Sequence, residues 1–121
     1  MLDHLSVQVA DVATSAAFYD RVLAPLGSTR MLEYGGEVIG YGTTQPRFWI
    51  GPTTTAGTAR EVHIAFAAED RDAVRAFFAA AVEAGAAVLH EPAEHPEYHA
   101  RYYGAFVRDP DGNNVEAVCH T

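Results

Sequence analysis

The sequence predicts an α+β fold of two tandem β-α-β-β-β modules, residues 1–57 and 58–121, and three observations carry that prediction. The chain repeats itself. An offset of 59 residues lays His4 on His63, Val7 on Phe66, Asp11 on Asp70, Phe18 on Phe77 and Tyr19 on Phe78, and Gly27 falls on Gly85 with one residue of slack. Each half opens on a run alternating apolar with polar or small residues, DHLSVQV and EVHIAFA, which is the period of a half-buried strand. Apolar residues at helical spacing follow each run: Val12, Ala16, Tyr19 and Leu23, then Val74, Phe77, Phe78, Ala81 and Val82.

The elements follow in order. In the first strand Leu5, Val7 and Val9 share a face opposite His4, Ser6 and Gln8; in the repeat Val62, Ile64 and Phe66 oppose His63, Ala65 and Ala67. The apolar faces belong to a core, and the polar or small faces suggest the lining of a cavity. Asp11 and Asp70 stand where a helix N-cap belongs, and Gly27 and Gly85 where each helix should stop. Gly35-Gly36 suits a tight hairpin between strands at 29–34 and 37–42, PRFWI (46–50) reads as a short strand, and GPTTTAGTAR (51–60) as a linker. The second half places strands near 86–91, 102–108 and 113–119, with Asp109-Pro110-Asp111-Gly112 as the last turn. If that turn pairs Val107 with Val115, Phe106 faces Glu116, and Tyr102 and Gly104 share that side.

Composition bounds the function. At 121 residues and 13.1 kDa the chain is one domain, and 49% hydrophobic with 20% charged residues is ordinary for a chain with a core. Acids outnumber bases 16 to 8, so phosphate backbones and anionic membranes are poor partners. Every basic residue is Arg, which removes Schiff-base lysine chemistry and the lysine-bearing phosphate loop. Cys119 is the single cysteine, so no internal disulfide forms. The first residues lack the basic and long apolar stretches of a signal peptide, and no apolar run approaches the roughly 20 residues of a membrane span. The expectation is a cytoplasmic protein.

His4 and His63 are repeat-equivalent residues on the polar faces of first strands, and Glu116 lies in the last strand on the alternation Asn114, Glu116, Val118. Two imidazoles and one carboxylate match a donor set that leaves coordination positions free for substrate. Neutral His nitrogen and carboxylate oxygen suit Fe²⁺, Mn²⁺, Zn²⁺ or Ni²⁺ without choosing among them, and the absence of cysteine argues against a structural zinc. Asp109, Asp111 and Asn113 look like the start of a calcium loop, but Pro110 and the missing acid further on make them turn chemistry.

The stretches DHLSVQVADVATSAAFYDRVL, EVHIAF and YYGAFVRDPDGNNVEAV, the last being the most specific, resemble the vicinal oxygen chelate superfamily. That group holds glyoxalase I, extradiol dioxygenases, fosfomycin-resistance thiol transferases and bleomycin-binding proteins. The resemblance implies modules curled into a cupped mixed sheet with helices on the outside, and a homodimer. It also implies a divalent metal on His4, His63 and Glu116, with a small substrate chelated through neighbouring oxygens. One position departs from the glyoxalase pattern: where a fourth ligand, a Glu, belongs in the last strand of the first half, PRFWI offers only Phe48, Trp49 and Ile50. Glyoxalase I activity is therefore the less expected of the family's reactions, which leaves a dioxygenase, transferase or lyase step.

Other residues fill out the expected site. Alternation puts Phe48 and Trp49 on opposite faces, with Trp49 as an apolar wall of the cavity. Arg47 and Arg101 could bind an anionic group. HEPAEHPEYHARYY (90–103) holds His90, His95 and His99, and Pro92 and Pro96 exclude a helix; it reads as a solvated loop, or as a lid whose Tyr98, His99 and Arg101 contact substrate. Tyr102, Tyr103 and His99 are candidate general bases. Trp49, Arg101, Tyr102 and Phe106 are the expected substrate contacts. Two functions compete: a metal-dependent enzyme, and a metal-free module that sequesters a drug-like aromatic or cation against Trp49, Tyr102, Tyr103 and Phe106. A non-catalytic interaction protein is a third reading, and it expects no ligand-sized pocket.

Overall fold

The computed structural model describes residues 1–121, as strands β1 (Leu5–Val9), β2 (Thr29–Tyr34), β3 (Val38–Gly42), β4 (Pro46–Pro52), β5 (His63–Ala67), β6 (Val88–Glu94), β7 (Tyr103–Arg108) and β8 (Asn114–Cys119), with helices α1 (Val12–Leu23) and α2 (Arg71–Glu83). The order is β-α-β-β-β twice, as the sequence predicts. The eight strands form two four-stranded sheets, β1-β4-β3-β2 and β5-β8-β7-β6. In each, the first strand pairs parallel with the last and the other pairings are antiparallel, so both sheets are mixed. β1 and β5 are edge strands, and the two sheets are not hydrogen-bonded to each other.

The helix signals act as expected. The Asp11 carboxylate accepts from Thr14 N at 3.0 Å and the Asp70 carboxylate from Ala73 N at 2.8 Å, each meeting an orphan donor of the first turn. Gly27, after a short 3-10 turn at Ala24–Leu26, and Gly85 take positive φ at the helix ends, where a side chain would be strained.

The apolar strand faces and both helices bury one shared cluster, not two. Val9, Tyr19, Val22 and Ile50 of the first half join Val74, Phe77, Val107 and Val115 of the second, all with no exposed surface. Phe48 packs edge-on against Phe66 across the modules, with ring centroids 5.1 Å apart. Polar groups also cross. The buried Asp109 accepts the Tyr19 hydroxyl of α1 at 2.7 Å, while holding its own turn through the backbone N–H groups of Asp111 and Asn113 and the Asn113 amide. Asp111 accepts Ala10 N at 2.9 Å and the Ser15 hydroxyl at 3.3 Å. The Asp-Pro-Asp-Gly segment is thus a turn, as expected, and also the bolt between the modules.

Two strands run further than the sequence reading. β4 continues through Gly51 to Pro52, where the linker is expected to begin. β6 runs on through Pro92 to Glu94: on this outer strand Pro92 falls in the register shift between His90 and Ala93 and is paired with no residue of β7. Only 95–102 is turn. The linker has no regular structure from 53 to 62 and is held to β1 by Gln8, which donates to the Thr54 hydroxyl at 2.9 Å and accepts from Thr55 Oγ1 at 3.3 Å. A cavity of about 540 Å³ lies beneath it between β1 and β5, with Ser6, Gln8, Arg60 and His63 among its walls.

Candidate functional site

Strand register assembles the site. β7 and β8 pair Val107 with Val115 and Phe106 with Glu116, as the turn predicts. Ala65 stands beside Glu116 in β5, and His90 beside Phe106 in β6. One face of the second sheet therefore carries His63, Ala65, Glu116, Phe106 and His90, and the opposite face gives Ile64, Val107, Val115 and Ala117 to the core.

On that face Glu116 is only 1% exposed. A carboxylate so buried needs partners, and it has two. His63 Nε2 donates to Oε1 at 2.9 Å, and the Tyr102 hydroxyl donates to Oε2. His63 itself is half exposed, so one edge of its ring reaches the open side. Burial, then the bond to Glu116, pushes the Tyr102 hydroxyl above its ordinary pKa and keeps it a donor. A Cβ on Gly104 would lie 2.9 Å from Glu116 Oε2 and 3.3 Å from the Tyr102 ring, so a side chain here would press on both partners of that bond.

The segment 95–102 is a folded turn beside Glu116, closed by His95 N to Tyr102 O at 2.9 Å. Tyr102 is hemmed by the rings of Tyr98, His99 and His120 at 4.8, 5.4 and 5.4 Å. His99 and His120 are hydrogen-bonded to each other at 2.8 Å. The Arg101 guanidinium has no protein partner, whereas Arg47 is occupied with Asp3 O and the Gln45 side chain. Tyr103 is not at the site. It points toward α2, where Arg75 donates to its hydroxyl at 3.0 Å and Arg71 lies over its ring, and it offers neither a base nor a stacking surface beside Glu116.

The first sheet carries different chemistry in the same frame. Ser6 pairs with Trp49, and Trp49 with Gly40, as Ala65 pairs with Glu116 and Glu116 with Phe106. Trp49 occupies the position that Glu116 holds in the second module. Phe48 goes to the core, and Trp49 takes the other face, stacked on Tyr34 at 6.0 Å and 15°. Its ring lies on Gly40, where a Cβ would come within 2.7 Å. His4 precedes β1, exposed, with Nδ1 2.8 Å from the Asp3 carboxylate; that bond holds the Asp3 carboxyl below its ordinary range.

The chain thus brings His63, Glu116, Tyr102 and Phe106 together, and leaves His4 and Trp49 on the other sheet. No three His, Cys, Asp or Glu side chains within it are close enough to share a metal ion. His63 and Glu116 nonetheless fit such an ion: one imidazole nitrogen meets a buried carboxylate at an open face, the donor types that bind divalent transition metals. Sequence reasoning missed Tyr34, which hairpin register could have placed across from the Trp49 face, and Gly40 and Gly104, whose role depends on contacts no pattern reveals.

No helix is long and apolar enough to cross a membrane. None of the curated proteins matches the chain. Among solved structures, a glyoxalase/bleomycin resistance protein from Albidiferax ferrireducens is 29% identical over 98% of both chains, with a TM-score of 0.86. A glyoxalase/bleomycin resistance protein/dioxygenase family enzyme from Burkholderia phytofirmans shares the fold at 20% identity, TM-score 0.73, over 98% of both chains. So does a lactoylglutathione lyase from Agrobacterium tumefaciens at 20% identity, TM-score 0.71, over 98% of this chain and 92% of that one. Residues 1–117 match the family described as Glyoxalase/Bleomycin resistance protein/Dioxygenase superfamily, and with the duplicated fold and the His63–Glu116 pair already in place, the chain belongs to that superfamily.

Proposed function

We propose that this protein is a divalent-metal-dependent enzyme of the glyoxalase/dioxygenase type, acting on a small substrate that chelates the metal through neighbouring oxygens. The observation that carries this reading is the His63–Glu116 pair, a carboxylate 1% exposed with an imidazole nitrogen 2.9 Å from it, on a face whose His63, Ala65 and His90 are exposed. His63 and Glu116 of one chain would supply two donors. His4 of a second copy would supply the third, since it is exposed and cannot join them within its own chain. A homodimer that sets the first sheet of one copy over the second sheet of the other would complete the site and face Trp49 toward it. A bound divalent ion supplies Lewis acidity, which offsets negative charge developing on the substrate oxygens. The protein's own part is to hold the donors, exclude water with Tyr98, Tyr102 and Phe106, and offer Arg101 as a free cation for an anionic tail. The Trp in place of a fourth carboxylate speaks against glyoxalase I activity and for dioxygenation, transfer or lyase chemistry.

Elemental analysis of the purified protein should find about one divalent ion per chain. His63→Ala should lose it, and equal metal in both would sink the proposal. His4→Ala and Glu116→Ala should each lose metal too, and mixing the two variants should restore it in the hybrid dimer, which keeps one intact site.

The Tyr34–Trp49 stack favours a second reading, a metal-free module that binds a flat drug-like molecule between copies. A thermal-shift screen separates the two: stabilisation by Mn²⁺, Fe²⁺ or Ni²⁺ that EDTA reverses supports the enzyme, and stabilisation by planar aromatics alone supports the binder.

A further inference from the structure

The geometry points to Tyr102 as a positioning residue that allows Glu116 to offer a metal only one of its two oxygens. This rests on the metal-binding reading above and concerns this chain's own side chains. The two carboxylate oxygens are differently held. Oε1 meets His63 at the open side of the sheet. Oε2 is turned inward over Gly104 and takes the Tyr102 hydroxyl.

A carboxylate beside a divalent ion can bind through one oxygen or both. Freeing Oε2 for the ion would strip it of the Tyr102 bond, a charge-assisted one, and leave the phenol hydroxyl to water beside the rings of Tyr98, His99 and His120. Tyr102 has little room to follow. Its backbone is bonded at both N and O within the 95–102 turn, to His99 O at 3.2 Å and from His95 N at 2.9 Å. The hydroxyl therefore stays on Oε2, and Glu116 contributes Oε1 alone. One more coordination position then remains open than a two-oxygen Glu116 would leave, and a substrate that binds through two neighbouring oxygens needs that room. Gly104 belongs to the same device, because a side chain there would press on both the phenol and the carboxylate.

The test compares wild-type protein with Tyr102→Phe, each loaded with Mn²⁺, by metal affinity and by water-proton relaxation per bound ion. Tyr102→Phe should hold Mn²⁺ at least as tightly as wild type, because Glu116 then offers both oxygens and no hydroxyl draws charge from them. It should also lower the relaxation by the share of about one bound water, as the released Oε2 takes that place. A purely structural role would lower the melting temperature and leave relaxation per bound ion unchanged, and that result overturns the inference. If Tyr102→Phe does not fold, Gly104→Ala keeps the hydroxyl but crowds it off Oε2, and should show the same lost water; an unchanged value overturns the inference equally. If the wild-type protein binds no Mn²⁺, the metal reading itself has failed. If the wild-type binds and the variants match its relaxation per bound ion, only the role of Tyr102 has.

Discussion

At one register position the two modules carry opposite chemistry: Trp49 beside Ser6 in the first, Glu116 beside Ala65 in the second. The backbone frame is the same, with a parallel outer pair and a helix capped by aspartate. What differs is the neighbour. Gly40 leaves a flat bed on which the indole lies, while Phe106 walls Glu116 and Gly104 admits Tyr102 to it. One sheet face of the duplicated fold thus carries a stacked aromatic pair, and the other a buried carboxylate with an imidazole beside it. The turns differ likewise. The β7–β8 turn buries Asp109 and reaches Tyr19 of the other module, whereas Thr43–Gln45 between β3 and β4 holds no such acid.

The largest break in this asymmetry should come from Asp109→Ala. It strands the Tyr19 hydroxyl, the Asn113 amide and two backbone N–H groups in the interior, and should cost about 3–5 kcal/mol. Urea denaturation measures it, and a loss under about 1 kcal/mol would refute the bolt. Next is Gly40→Ala, whose Cβ would meet the Trp49 ring at 2.7 Å. Overpacking of this kind costs about 1–3 kcal/mol, and Trp49 fluorescence should shift as the indole leaves Tyr34. Trp49→Glu makes the first module resemble the second. If Trp49 faces the metal donors of a partner copy, the added carboxylate should tighten divalent-metal affinity about tenfold, or ~1.4 kcal/mol; unchanged affinity in a titration counts against that arrangement.

The smallest effect tests the helices, where the repeat puts Tyr19 against Phe78. Burial first, then Asp109, raises the Tyr19 hydroxyl well above its ordinary value. The unfolded chain therefore loses this proton near pH 10 while the folded one keeps it. Its contribution is full below pH 10 and falls as pH climbs beyond, by about 1 kcal/mol per fully protected tyrosine near pH 10.5. Tyr41, raised by burial and by Asp20, adds to the same slope. Tyr19→Phe should flatten the loss of stability between pH 9.5 and 11, and an identical slope would show that Tyr19 titrates freely.

Most of this architecture is written in local pattern. Alternation fixed β1 and β5, the two aspartates marked both helix starts, and the Asp-Pro-Asp-Gly turn gave the register that sets Phe106 beside Glu116. Pro92 and Pro96 excluded a helix correctly, but alternation did not carry the strand past 91 because β6 is an outer strand with register shifts between Val88 and His90 and between His90 and Ala93. The site was legible where it depends on register, as with His63 and Glu116. It was not legible where it depends on how the modules pack: repeat equivalence of His4 and His63 says nothing about their distance, and His4 stays apart. The Asp109–Tyr19 bond was hidden for the same reason, although a tyrosine at a core position does signal that its hydroxyl must find a partner.

The shared interior has a thermal consequence. Each half alone would expose the face that its neighbour covers, and the polar bolt at Asp109 has no substitute within its own module. Neither half can melt while the other persists. Calorimetry should record one transition whose measured enthalpy equals the van't Hoff value, a chain built by repetition that unfolds as a single cooperative unit.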